Sequence, residues 1–134
     1  MFEKKPETKK RVLVVDDEPA ILKFINIRLK LDGYEVVSTM SGAEAVEIIR
    51  TQLPDIMLLD ILMPGVTGMD VLEQVRTFSN IPIVVFTGRS DIAKLALRLG
   101  ANDYIAKPFN PDLLLEKISF ILSSSQIEKR RCDD

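Results

Sequence analysis

Five short apolar runs punctuate the chain, at 11–15, 34–39, 56–59, 81–86 and 102–106. Each is bounded by turn-forming or charged residues, and the run Ile56-Met57-Leu58-Leu59 has no polar position at all. A continuous apolar run of that length predicts a strand buried on both faces. Between the runs the period changes to that of a helix. Ile21, Leu22, Ile25 and Leu29 form one stripe after Pro19, which suits a first helical turn, and Gly33 follows as the C-terminal cap. Ser41-Gly42 leads into a helix with Ala45, Val46, Ile48 and Ile49 inward. Further helices are expected over about 68–78, 91–99 and 111–122. Strands and helices alternating at intervals of about 20–25 residues predict an α/β fold with a parallel sheet covered on both faces.

The chain has 134 residues, 46% hydrophobic and 28% charged, which fits one domain with its own core. Residues 1–10, with four lysines, read as a basic lead-in, 11–122 as the domain, and 123–134 as a polar tail or truncated linker. The net charge of −2 predicts no direct nucleic-acid contact. No apolar run is long enough for membrane insertion, and the first residues contain no signal core. A single cysteine, Cys132, gives no disulfide framework, so a cytoplasmic location is expected. There is no histidine, so any metal must be held by oxygens.

Polar residues interrupt the pattern where the strands end: Asp16-Asp17-Glu18, Asp60, Thr87 and Lys107. In a parallel sheet those ends share one edge, where open α/β sheets bind their ligands. Carboxylates crowded there would raise one another's pKa unless a cation joins them. A hard divalent ion, Mg²⁺ above all, answers that need. With Lys107 as a further positive charge and Thr87 as a hydroxyl donor, the edge suits a phosphoryl group transferred to an Asp60 oxygen. Taken singly, each residue has an ordinary explanation: a helix cap for Asp16 or Asp17, a strand end for Thr87, a turn at Lys107-Pro108.

Together, Val14-Val15-Asp16-Asp17-Glu18, Asp60-Ile61-Leu62-Met63-Pro64 with Gly68, Thr87 and Tyr104-Ile105-Ala106-Lys107-Pro108-Phe109 resemble the receiver domains of two-component response regulators, of the chemotaxis-regulator type. The resemblance covers about residues 11–122. It implies a flavodoxin-like, doubly wound (βα)5 three-layer sandwich with sheet order 2-1-3-4-5. It implies phosphorylation of Asp60 by a sensor histidine kinase or histidine phosphotransfer protein. Asp17, Asp60 and the Leu62 backbone carbonyl would bind Mg²⁺, with Asp16 acting through water. Thr87 and Lys107 would contact the phosphoryl oxygens, Tyr104 would be the switch aromatic, and Lys107-Pro108 would be a cis peptide. The output surface would be the fourth helix, fifth strand and fifth helix, bearing Lys94, Arg98, Asp103, Glu116 and Lys117. That surface would meet a downstream effector or output domain, with a homodimer as a further option.

Two other classes compete. A flavodoxin-type FMN binder needs a phosphate-cradling first loop, which Asp16-Asp17-Glu18-Pro19 would repel. A metal-dependent aspartyl phosphatase needs a second acid beside its nucleophile, and Ile61-Leu62 provides none. No organic cofactor and no enzymatic turnover beyond the domain's own phosphorylation and dephosphorylation are therefore expected.

Overall fold

The computed structural model describes residues 9–63, 65 and 67–132, with side chains as far as residue 124. Most of the expected lead-in lies outside these residues, as does Pro64. The strands are β1 (Arg11–Val15), β2 (Glu35–Thr39), β3 (Ile56–Asp60), β4 (Ile83–Thr87) and β5 (Asp103–Ala106). They alternate with the helices α1 (Pro19–Leu31), α2 (Gly42–Gln52), α3 (Gly68–Arg76), α4 (Ser90–Arg98) and α5 (Pro111–Cys132). All strand pairs are parallel and the sheet order is β2-β1-β3-β4-β5. The expected doubly wound, flavodoxin-like architecture is the one observed.

The apolar runs explain the layers. Leu13, Val15, Met57, Leu59, Ile83 and Val85 belong to one core with the inward faces of α2, α3 and α4. The intervening residues Val12, Val14, Ile56, Leu58, Val84 and Phe86 form the other with α1 and α5. Side chains alternate across a strand, so an unbroken apolar run serves both layers. Each fully buried aliphatic residue contributes roughly 1.5–3 kcal/mol, enough in sum to tolerate costly polar groups at the sheet's end.

Helix ends follow local chemistry. In α2 the Ser41 side chain accepts a bond from the Glu44 N–H at 3.3 Å. At α3, Thr67 and Asp70 form a reciprocal capping box. β4 begins at Ile83 rather than Ile81, because Pro82 has no N–H to give the ladder; its carbonyl accepts from Met57 N–H at 2.9 Å instead. α3 ends at Arg76, short of the expected residue 78, where the Thr77 hydroxyl donates to the Gln74 carbonyl at 2.6 Å. The largest difference is α5, which continues to Cys132 instead of stopping near Leu122. Ser123-Ser124-Ser125 is only mildly unfavourable to a helix, and neither glycine nor proline follows to end it.

Candidate functional site

The sheet order reverses between β1 and β3, and the polar residues gather at the carboxyl edge beside that reversal. Asp60 is the last residue of β3 and is 2% exposed, while Asp16, just beyond β1, is fully buried. Thr87 ends β4, also 2% exposed, and its carbonyl accepts the Lys107 N–H at 3.0 Å just beyond β5. The Lys107 ammonium lies 3.4 Å from Asp60 Oδ1 and 3.6 Å from Asp16 Oδ2. It also sits over the Phe86 ring, 5.0 Å from the centroid, a face that attracts cations. Sequence reasoning missed Phe86; its place one residue before Thr87, on the α1–α5 side of the sheet, was the available signal.

One ammonium thus serves two buried carboxylates. Burial pushes the Asp16 carboxyl up to about 6, with the Asp60 charge adding to the rise and the Glu18 N–H, 2.9 Å from Oδ1, opposing it. Burial also raises Asp60, against the pull of the Lys107 charge and of the Leu62 N–H at 3.3 Å. Among the described residues, buried Asp16 Oδ2 has no hydrogen-bond partner. Carboxylate oxygens of Asp16, Asp17 and Glu18 all lie within 4.8 Å of one another. An orphaned buried oxygen among further carboxylates is a donor set that fits a hard divalent cation. Glu18, counted among the strand-end acids but given no metal role by the resemblance, belongs to this group.

The remaining expected residues are placed as follows. Leu62 is 54% exposed beside Asp60, and the contact it makes there is through its N–H. The Thr87 hydroxyl accepts the Arg89 N–H at 3.2 Å, while the Arg89 guanidinium turns to Asp91, at 2.8 and 3.3 Å. Tyr104 is not gathered at the tip. It pairs in register with Val85, two positions before the Thr87–Ala106 pair, so it shares a sheet face with Thr87. Its side chain is 37% exposed. Lys94, Arg98 and Glu116 are exposed, whereas Lys117 is held by Asp103 at 2.8 Å. The Lys107–Pro108 peptide is cis. Gly68 shapes the site from below: its N–H donates to the Ile61 carbonyl at 2.9 Å. A Cβ there would overlap the Asp60 carbonyl oxygen and lie 2.5 Å from Ile61 Cα.

Beside Lys107 a concavity of about 520 Å³ opens between α1 and the β5–α5 loop, lined by Ala20, Ile21, Phe24, Lys107, Pro108 and Phe109. Phe109 packs edge-on against Phe86, with centroids 6.1 Å apart. Among the described residues no helix is long and apolar enough to cross a membrane.

The comparisons agree with this geometry. The family model for the response regulator receiver domain matches residues 12–119. The Probable transcriptional regulator ycf27 of Guillardia theta is 42% identical over 118 residues, 87% of this chain and 46% of that protein. The DNA-binding response regulator MtrA of Mycolicibacterium smegmatis is 35% identical over 90% of this chain and 54% of its own length. The chain therefore spans about half the length of these relatives. The crystal structure of a CheY-like response regulator receiver domain protein from Methanospirillum hungatei superposes with a TM-score of 0.84. It is 33% identical and covers 90% of this chain and 99% of that one. On the match over residues 12–119 and these relatives, the chain belongs to the receiver domain family of two-component response regulators.

Proposed function

We propose that the chain takes a phosphoryl group from a phosphohistidine of a sensor kinase or phosphotransfer protein onto Asp60. The observation that carries this reading is the Lys107 ammonium shared between buried Asp60 and Asp16. In the transfer an Asp60 carboxylate oxygen bonds to phosphorus and the phosphorus–nitrogen bond breaks. The leaving imidazole of the donor keeps the electron pair and later takes a proton from water. The product is an acyl phosphate, whose added charge needs donors in place beforehand. Lys107 and the Thr87 hydroxyl supply them. Asp16, Asp17, Asp60 and the Leu62 carbonyl would hold Mg²⁺, with Glu18 close by; the ion would neutralise charge on the transferring group.

The apolar concavity supports docking of the donor, since it borders Lys107, whose ammonium lies 3.4 Å from Asp60. Output would follow from Thr87. If its hydroxyl turns toward the phosphoryl group, it leaves the Arg89 N–H, and Tyr104 on the same sheet face repacks. The responsive surface is then α4–β5–α5, where the Asp103–Lys117 pair and exposed Leu95 and Leu97 lie. An effector or output domain would read it, and self-association there is an accessory option. Relatives named as transcriptional and DNA-binding regulators extend beyond the matched span. The expectation of no nucleic-acid contact is accordingly restricted to this span, within a protein that acts on DNA. A cytoplasmic setting follows from such a role.

The test is stoichiometry. Incubation with a small phosphodonor and Mg²⁺ should label at most one site per chain, and chelation should stop it. Multiple turnover of a generic phosphoester would favour a phosphatase and overturn the reading.

A further inference from the structure

α1 has two unlike flanks. Toward α5, Arg28 pairs with Asp112 at 2.8 Å and the Phe24 ring lies 6.5 Å from Phe109. Toward β2, Asn26 Nδ2 donates to Ser38 Oγ at 3.3 Å, and buried Asn26 Oδ1 has no partner among the described residues. Along this second flank runs a groove of about 410 Å³ lined by Lys23, Asn26, Ile27, Lys30 and Met40. Lys30 also lines a second concavity of about 500 Å³, with Lys9, Tyr34 and Glu35. Among the described residues β2 is the edge of the sheet.

The groove is apolar at its crest and basic at its rim. Ile27 and Met40 are 51% and 52% exposed. Lys23, Arg28 and Lys30 are the only charged residues of α1. Among the described residues, no carboxylate pairs with Lys23 or Lys30. The charge is segregated along the chain as well: residues 1–31 carry eight basic and five acidic groups, residues 32–134 ten and fifteen. A cationic rim around exposed aliphatic side chains, in a protein of net charge −2, is complementary to an acidic amphipathic surface.

We propose that this groove binds an acidic amphipathic helix of a partner protein. Lys23 and Lys30 are seven residues apart, about 10.5 Å along α1 at 1.5 Å per residue. Carboxylates at the same spacing on a partner helix would meet both. The apolar residues between them would cover Ile27 and Met40, the mode in which helices bind grooves. A bilayer fits less well, because the site is a concave groove rather than an open face. The groove is on the opposite flank of α1 from the concavity beside Lys107.

The test is amide NMR of the full chain titrated with a synthetic amphipathic helix bearing a glutamate face and a leucine face. Its control carries lysine in place of each glutamate. Only the acidic peptide should shift residues 19–31 and 36–40, and added salt should weaken it. Lys23→Glu with Lys30→Glu should weaken binding about tenfold or more while the rest of the spectrum keeps its dispersion. The proposal falls if neither peptide binds, if both bind alike, or if the shifts map to α4–β5–α5. It also falls if the double variant binds unchanged. Phosphatidylserine vesicles shifting these amides when the peptide does not would assign the groove to a membrane. Self-association abolished by the same two substitutions would assign it to a second copy.

Discussion

Lys107 is one cation facing two buried carboxylates, and the imbalance has a measurable consequence. Folded Asp16 holds its proton up to about pH 6, against an ordinary value of 3.8. Between those values the folded state binds more protons than the unfolded one, so metal-free stability falls as pH rises. The stabilisation is complete below the lower value and lost above the higher, with a span of up to about 3 kcal/mol. Asp16→Asn should flatten this segment of the stability–pH curve in urea unfolding with chelator present; an unchanged slope would place the proton elsewhere. Added Mg²⁺ should stabilise wild type at neutral pH more than Asp16→Asn, since the proposed site exists only in the folded acidic cluster. Leu62 leads to a second expectation. Exposed beside Asp60, it cannot orient an attacking water, so Leu62→Asn should shorten the phosphoryl lifetime several-fold. A lifetime equal to or longer than that of wild type would refute this. The gathering of Asp16, Asp60, Thr87 and Lys107 at one edge was legible because each directly follows an apolar run. Side-chain aim was not: neither the Lys107 bridge nor the Arg89–Asp91 pair is visible in spacing alone.

The elements bring these residues together through backbone geometry, and two glycines separate the possible reasons. Gly65 has φ +75° with nothing within 4 Å of an added Cβ. Alanine there would carry only the left-handed penalty, about 1–2 kcal/mol. Gly68 lacks that conformation, yet its Cβ would strike the Asp60 carbonyl. Gly68→Ala should cost about 1–3 kcal/mol or more and shift the β3 tip, lowering phosphorylation, which Gly65→Ala should leave intact. Equal effects of both on phosphorylation would show that the close approach does not position Asp60. Capping is a smaller lever: Thr67→Ala removes the α3 box and should cost about 1 kcal/mol in thermal or urea unfolding. Strand identity and helix stripes were readable, because burial on one or both faces leaves a period in the sequence. Helix ends were less so. Ser123-Ser124-Ser125 resembles a stop only until competing structure is considered, and none interrupts α5 before Cys132.

At the scale of the molecule, the doubly wound order was read from the family resemblance, whereas alternation alone gave only a parallel sheet covered on both faces. Parallel pairing puts the ends of β1, β3, β4 and β5 on one edge, and there the candidate site residues gather. The same order puts Thr87 and Tyr104 on one face of neighbouring strands, the route by which the proposed phosphorylation would reach α4–β5–α5. A beryllofluoride phosphoryl mimic should therefore move amides across residues 91–117. Changes confined to the loops around Asp60 and to Lys107 itself would disprove that route. All of this depends on Asp60 as the acceptor. The most direct measurement is intact-mass spectrometry of wild type and Asp60→Asn after treatment with a small phosphodonor and Mg²⁺. The account predicts one added phosphoryl on wild type and none on the variant, and equal labelling of the two proteins would contradict it.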